Sequence, residues 1–447
     1  MKDYRKRFVI IGAGPVGLAM ARGLRKHGIP YDQLEADDDI GGNWYHGVYS
    51  TAHIISSRRT TEFAEFPMPE HFPDFPGSAQ IQEYLRQYAT HFGLWSGIEL
   101  NTKVVRVRPR SDELWSVSLA NGEERIYKGV VVCNGHHWSK NYPAFAGRFA
   151  GEVLHAKDYK NPSQLAGKRV LVIGAGNSGC DIASEAARVA KTCDISLRRG
   201  YWFLPKTLFG KPFHEAFPLW LPLWLQRAIL RLSLKIVVGD YESYGLPHPD
   251  HPLFQELPTL NSEFLHYLKH GRIETRPDIA AVDGRSVDFI DGTRDEYDLL
   301  VCATGYQFSF PFLPQGFVPV ENGVAQLYGG SQLPGYKHIY IVGTMTPRYG
   351  FGPLLGIGAD LLAQGIELQE RMKLSLGTVL KEMGQKPPAS PFIEPGVMLR
   401  QMKRAKWLVP LVVLPAERRL RKKLDAPPQF PEAEGAHIYL SEESEIY

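Results

Sequence analysis

The chain has four cysteines in 447 residues, Cys133, Cys180, Cys193 and Cys302, and no two of them form a CxxC pair. Their spacing argues against a redox dithiol and against a thiolate metal site, since both need neighbouring sulfurs. Cys133 and Cys302 close the apolar runs VVVC and LLVC, so they read as buried strand ends. Free buried thiols fit a reducing compartment. No apolar run reaches the roughly 18 residues that suggest a membrane span. The N-terminal MKDYRKRF enters a strand without an apolar signal segment, so a cytoplasmic location is expected. Charge of one sign is missing too: 51 Lys and Arg face 48 Asp and Glu, and a formal net charge of +3 is too small to draw nucleic acid. The composition, 44% hydrophobic and 22% charged, is that of an ordinary globular protein long enough for two or three domains.

What the chain does have is glycine in two particular places. Phe8 to Ile11 is a continuous apolar strand, GAGPVG follows, and a helix opens with Leu18, Ala19 and Leu24 on one face. Within this GxGxxG, Gly12 permits the tight turn, Gly14 lets backbone approach a pyrophosphate, and Gly17 allows close helix–strand packing. A helix N-terminus here offers free N–H groups and its positive dipole end to phosphate. The next strand, near Tyr31 to Leu34, ends on Glu35, where a carboxylate bonds ribose hydroxyls.

Lys168 to Ile173 begins a second unit of the same kind with GAGNSG, bringing Gly174, Gly176 and Gly179 into the same roles. Its following strand ends not on an acid but on Arg198 and Arg199. A carboxylate would repel a 2′-phosphate, whereas a guanidinium pairs with it, so this site is expected to take NADPH. Two dinucleotide sites in one chain imply an electron relay in which a nicotinamide delivers hydride to a flavin, FAD.

Between and beyond the fingerprints the pattern is α/β. An amphipathic helix is expected around Ile81 to Phe92, and alternating segments from Thr102 to Val132 read as an antiparallel excursion. YDLLVCATG is another buried strand, and a late helix from about Leu354 to Met372 follows a glycine-rich loop, its N-terminus a candidate partner for the flavin edge. Phe217 to Val238 is apolar and carries a basic stripe, Arg227, Arg231 and Lys235. It suits either a helix lying in a membrane interface or an insertion that covers an active site. Arg400 to Asp425 holds nine Lys and Arg, suiting anionic lipid or a solvated face, while WLVPLVVL is too short and too proline-interrupted to span. The tail from Glu432 is acidic. The fold class expected is α/β with two Rossmann-like dinucleotide-binding domains. Residues 1–160 and 296–385 would form the FAD domain, interrupted by an NADPH domain at 161–295 with an apolar insertion at 210–250, and 386–447 would be a C-terminal extension.

Phe149, Gly151, His155 and Tyr159 form an FxGxxxHxxxY pattern between the two fingerprints. With GGNW (Gly41 to Trp44), CNGHH and ATGY (Ala303 to Tyr306), it makes the chain resemble the flavin-containing monooxygenases, the class B flavoprotein monooxygenases, from about Arg7 to Ala363. The resemblance implies a discontinuous FAD domain and a flavin C4a-hydroperoxide that waits, with NADP⁺ bound, for a soft nucleophilic nitrogen or sulfur. It implies that His155 couples the domains to NADPH use. It extends the cofactor contacts to Pro15, Gly42, Asn43, Trp44 and Val104, to Asn177 and Ser178, and to Thr304 and Gly305. The implied partners are molecular oxygen and a small substrate, an apolar amine or sulfide, and a homodimer is compatible with the sequence.

One departure stands out. Where the family commonly has an Asn before the FPMP loop, this chain has Ile55, with Ser56 and Ser57 beside it. An isoleucine makes no side-chain hydrogen bond. Either the serines substitute, making them catalytic candidates together with His155, or reduced flavin releases hydrogen peroxide, or the substrate differs. The competing readings are therefore an NADPH oxidase, a redox sensor binding both nucleotides, and Baeyer–Villiger insertion beside a ketone. Against the last, Tyr159 stands where those enzymes usually carry Trp.

Overall fold

The computed structural model describes residues 4–208, 210–216, 221–348 and 350–423. Phe8–Ile11 is the centre of a five-stranded parallel sheet. Tyr31–Leu34 and then Ile98–Glu99 lie on one side of it, Gly129–Val132 and then Ile339–Ile341 on the other. FVII, GVVV and IYI are buried along their whole length, as strands covered on both faces must be. The neighbouring strand YDQL carries Asp32 and Gln33 into the interior, and each finds a partner. Arg7 Nε donates to Asp32 Oδ2 at 2.9 Å, and Gln33 Nε2 donates to the Gly12 carbonyl at 2.9 Å.

A second five-stranded sheet, also parallel, runs in the order Glu274–Arg276, Thr192–Ser196, Arg169–Ile173, Leu299–Cys302, Glu152–His155. The chain thus enters the second sheet at Glu152 and leaves it after Cys302, and the first sheet is built from both sides of that excursion. The fold is α/β with two Rossmann-like units, the first one discontinuous. In both sheets the fingerprint strand is where successive connections diverge to opposite sides, the switch point at whose carboxyl end ligands bind in such folds.

The helix of the first fingerprint, Pro15–Lys26, buries Leu18, Ala19 and Leu24. It packs on the late helix Gly352–Gln369 so closely that a Cβ at Gly23 would stand 2.7 Å from the Ala359 Cβ. The antiparallel excursion is three strands, Val104–Pro109, Trp115–Leu119 and Glu124–Tyr127. In WSVSL the burial alternates, with Trp115, Val117 and Leu119 facing a core shared with Val9 and Ile11. All four cysteines are free and buried, and burial pushes the Cys302 thiol up to about 12.

The insertion helix, Leu223–Val237, buries Leu230 and Leu234 against Leu204, Phe213, Leu253 and Leu260. Of its basic stripe, Arg227 is tied down, donating from Nε to the Leu253 carbonyl at 2.7 Å, while Arg231 and Lys235 are exposed. Trp224, Leu232 and Ile236 are exposed as well. Residues 217–220 of the apolar segment, and the acidic tail, lie outside the described residues.

The C-terminal region departs from expectation. WLVPLVVL reads as interrupted by its proline, yet Pro395–Lys423 is one helix running through Pro410 and Pro415. Each proline removes a backbone donor, but tertiary contacts hold the helix in place. Val413 is buried with Leu368, Met372 and Val379, and Glu417 Oε1 accepts from the Lys373 N–H at 3.1 Å. Among the described residues no helix is long and apolar enough to cross a membrane.

Candidate functional site

The first glycine turn is built as its sequence requires. Gly12 has φ +103°, a conformation glycine adopts without penalty, and a Cβ there would lie 2.6 Å from the Cys133 carbonyl oxygen. A Cβ at Gly17 would overlap the Gly12 carbonyl, so only glycine lets the helix start this close to the strand. Gly14 faces the Gly41–Gly42 loop, with Gly42 Cα 3.7 Å from where its Cβ would stand. Pro15 occupies the first helical turn and no side chain caps the helix, so the first-turn N–H groups are left for a ligand. Glu35 is buried beside this turn. Its Oε2 accepts from the Ala13 N–H at 2.6 Å and its Oε1 from the Asp37 N–H at 3.1 Å, while burial raises its pKa above the ordinary carboxylate value. The Thr102 N–H reaches the Glu35 carbonyl at 2.7 Å, which brings the start of the antiparallel excursion, with buried Val104, next to the same cradle.

The second turn repeats the construction. Gly174 has φ +97° and would put a Cβ 2.7 Å from the Ala303 carbonyl oxygen; a Cβ at Gly179 would overlap the Gly174 carbonyl. A Cβ at Gly176 would meet nothing within 4 Å, so the space in front of the uncapped helix Asn177–Val189 is open. Asn177 turns back into the protein, its Oδ1 accepting from the Leu260 N–H at 2.8 Å, and Ser178 is half-buried beside it. The two arginines part company. Arg199 donates to Glu256 and lies over the Tyr201 ring at 5.4 Å, whereas Arg198 is exposed at the strand end.

His155 ends the last strand of the second sheet, at the same carboxyl edge as the Gly174 turn. Its ring is buried between Tyr142 and Tyr306, at 5.2 and 5.4 Å. Nε2 lies 3.1 Å from the Gly305 carbonyl, which only accepts, and Nδ1 takes the Lys157 N–H at 3.0 Å. These partners fix a neutral imidazole with the proton on Nε2, and burial lowers its pKa. Gly305 has φ +81°, and Thr304 donates its hydroxyl to the Asn141 carbonyl, closing the turn after Leu299–Cys302.

From the first unit, the GGNW loop reaches the segment just after His155. Asn43 donates from Nδ2 to the His137 carbonyl at 2.8 Å, and its Oδ1 accepts from Lys157 Nζ at 2.6 Å. Burial is the main reason that the Lys157 ammonium is lowered to about 8. Trp44 is half-buried against the core of the first unit.

Ser56 and Ser57 are both buried and use their hydroxyls locally. Ser56 Oγ pairs with Thr61 Oγ1 at 2.6 Å, and Ser57 caps the short helix Arg58–Thr61 through the Thr60 N–H at 3.4 Å. This turn is wedged against the N-terminal end of Gly352–Gln369, where a Cβ at Gly352 would overlap the Glu62 carbonyl. Ile55, just before it, is half-buried.

Sequence reasoning passed over a group of residues that tie the units together: Tyr49, Thr51, Lys157, Asp181 and Glu185. Tyr49 OH donates to Asp181 at 2.7 Å, and Thr51 and Tyr159 both donate to Glu185. Asp181 and Glu185 are four apart on a helix, so they share one face. That spacing was the available signal, but solvated acids show it just as often.

The residues present fit two dinucleotides. Each cradle has a glycine turn that a Cβ would block or fill, uncapped helix N–H groups, and either a buried carboxylate or an exposed guanidinium at the next strand end. A family model described as flavin-binding monooxygenase-like matches residues 5–409. Flavin-containing monooxygenase 5 of Oryctolagus cuniculus is 32% identical over 418 residues, covering 85% of this chain and 78% of that protein. Dimethylaniline monooxygenase [N-oxide-forming] 2 of Rattus norvegicus is 35% identical over 352 residues, covering 72% and 66%. Two solved structures share the fold at lower identity. S-allyl-L-cysteine S-oxygenase from Allium sativum has a TM-score of 0.64 at 20% identity, covering 95% of each chain. An open crystal structure of cyclohexanone monooxygenase has a TM-score of 0.70 at 18% identity, covering 90% of this chain and 98% of that one. The chain belongs to the flavin-binding monooxygenase-like family. It is a flavin monooxygenase whose cofactors are FAD and NADPH.

Proposed function

We propose that this monooxygenase uses NADPH and O₂ to oxygenate a soft nucleophilic nitrogen or sulfur centre on a small apolar substrate. The observation that supports the reading is that the GGNW loop, packed beside the first glycine turn, is bonded to the linker motif of the second unit. Lys157 Nζ donates to Asn43 Oδ1 between the two units, and two residues earlier His155 rests on the Gly305 carbonyl within the second unit. In this assignment Gly12, Gly14, Pro15 and Gly17 hold the FAD pyrophosphate and Glu35 its ribose, with Gly42, Asn43, Trp44 and Val104 around the flavin nucleotide. Gly174, Gly176, Ser178 and Gly179 hold NADPH, with Thr304 and Gly305 at the rim and Arg198 on the 2′-phosphate. Reduced FAD supplies the oxygen activation; the chain's own residues bind, orient and exclude water. The nitrogen and sulfur chemistry in the names of two similar proteins, dimethylaniline N-oxide formation and S-allyl-L-cysteine S-oxygenation, supports the substrate class.

The test is isotopic. With NADPH and ¹⁸O₂, dimethylaniline and methyl phenyl sulfide are expected to gain one labelled oxygen each. Unlabelled or absent product with all the label in hydrogen peroxide contradicts the reading and favours the oxidase that Ile55 motivates. A cyclic ketone yielding labelled lactone faster than either substrate favours Baeyer–Villiger chemistry instead.

We also propose a peripheral membrane contact. Trp407, Leu408 and Leu411 on the C-terminal helix are 76%, 54% and 70% exposed, and the helix carries Arg400, Lys403, Arg404 and Lys406 just before them. Aromatic and aliphatic side chains beside cations suit an anionic bilayer surface. Co-sedimentation with vesicles containing phosphatidylserine, lost in Trp407→Ser/Leu411→Ser, supports the contact. Equal pelleting with and without vesicles refutes it.

A further inference from the structure

The helix that opens the second cradle, Asn177–Val189, presents two acids one turn apart to the rest of the protein, and neither is used as an ordinary surface carboxylate. Glu185 is 7% exposed and accepts from the hydroxyls of Thr51 and Tyr159. Asp181 accepts from Tyr49 OH at 2.7 Å on one oxygen and from Asn261 Nδ2 at 2.6 Å on the other. Among the described residues neither acid has a cationic partner within ion-pair distance. For the buried Glu185, neutral donors and no cation leave a desolvation cost, so its place in the fold calls for a reason beyond stability.

The donors supply that reason, because they come from particular places. Tyr49 and Thr51 sit in the segment that runs from the GGNW loop to Ser56 and Ser57. Tyr159 closes the linker motif that begins at Phe149. The two tyrosine rings pack 5.6 Å apart, and both phenol pKa values are pushed up by burial and by the acids, so the hydroxyls stay protonated donors. Backbone contacts run alongside: the Ser50 N–H donates to the Lys160 carbonyl at 2.9 Å and Lys160 Nζ to the His46 carbonyl at 2.7 Å. At its own N-terminus the same helix frames the open space beside Gly176. Any rotation of this helix would therefore move the second cradle, and the two acids are where the flavin-side segment grips it.

We propose that Asp181 and Glu185 are positioning residues, a two-carboxylate clamp that fixes the NADPH cradle against the flavin-side segment 46–51. Its function is registration: with the clamp closed, the two cofactors are held in one arrangement while the reduced enzyme awaits substrate. The clamp rests on the two-cofactor reading given above, but its structural claim stands on contacts between protein groups alone.

The test uses the FAD-bound enzyme and two mild variants, Thr51→Val at an exposed position and Tyr159→Phe, with their double mutant. Hydrogen exchange of segments 46–51 and 177–189 is the first readout, and the share of NADPH electrons appearing as hydrogen peroxide is the second. Each variant is expected to speed exchange in both segments about tenfold while the first fingerprint helix, 15–26, is unchanged. Each is expected to raise the peroxide share at least twofold and the KM for NADPH severalfold, with flavin content unaltered. Glu185→Gln, which keeps shape and one acceptor oxygen, should recover most of the protection that Glu185→Ala loses. Exchange that rises uniformly over the chain, or stays unchanged in both segments, overturns the clamp. So does a fall in thermal stability with unchanged KM and peroxide share. If the wild-type enzyme oxygenates no nitrogen or sulfur substrate, the substrate reading fails, yet the exchange result still decides the clamp.

Discussion

Arg199 donates to the Glu256 carboxylate, and this leaves Arg198, its neighbour at the strand end, as the exposed guanidinium at the second cradle. The sequence presents the pair as equivalent; the structure separates them. Arg198→Ala should raise the KM for NADPH about tenfold or more, the scale of one charge-assisted phosphate contact, and leave the KM for NADH nearly unchanged. Arg199→Ala should act chiefly on stability. Steady-state kinetics with both nucleotides checks this, and equal effects on NADH and NADPH remove the 2′-phosphate role from Arg198.

The two glycines of the second turn should respond differently to one methyl group. A Cβ at Gly179 overlaps the Gly174 carbonyl, whereas a Cβ at Gly176 meets no protein atom within 4 Å. Gly179→Ala should therefore cost about 2 kcal/mol or more of stability through forced backbone movement. Gly176→Ala should melt within about 2 °C of the parent, yet bind NADPH several times more weakly if, as proposed, that open space takes the phosphates. Paired melting curves and nucleotide titrations test the contrast. A Gly176→Ala enzyme with unchanged NADPH affinity would place the phosphates elsewhere.

These glycines also show how much could be read in advance. GAGPVG and GAGNSG announce themselves because backbone geometry allows almost nothing else there, so the fold class and the geometry of both glycine turns were legible. The linker motif was legible as a pattern, but not what it holds. Tyr159 lies on Glu185, and Lys157 on Asn43, through contacts between distant segments that no local periodicity records. The C-terminal helix misled for a similar reason. Pro410 reads as an interruption of WLVPLVVL, yet the helix runs through it and through Pro415, docked on the protein by Val413 and Glu417 among others.

His155 makes a prediction about acid. Its folded pKa lies below the ordinary histidine value because burial of the ring outweighs the Gly305 carbonyl, which favours the proton. As pH falls below about 6.5 the unfolded chain takes up the proton first. The contribution of His155 to stability is thus complete above that pH and is lost progressively as pH drops toward the folded-state pKa. His155→Gln, which keeps a donor toward the Gly305 carbonyl, should flatten the fall in melting temperature between pH 7.5 and 5.5. Parallel curves for the two proteins would mean that His155 titrates normally.

Ile55 stands where the resemblance leads one to expect Asn, and it is followed by two serines whose hydroxyls are spent inside their own turn. Ile55→Asn should lower the peroxide share of NADPH oxidation at least twofold without changing the rate of flavin reduction. Quantifying peroxide against NADPH in the two enzymes decides it, and an unchanged share would show that position 55 does not govern the fate of oxygen.

The central claim is oxygenation, and stoichiometry tests it most directly. With saturating methyl phenyl sulfide or dimethylaniline in air, NADPH consumed, oxygenated product formed and hydrogen peroxide released are measured in one reaction. The account predicts that product accounts for most of the NADPH oxidised, with peroxide the minor fate. NADPH oxidised entirely to peroxide whichever substrate is present, or a flavin that NADPH does not reduce, would contradict it.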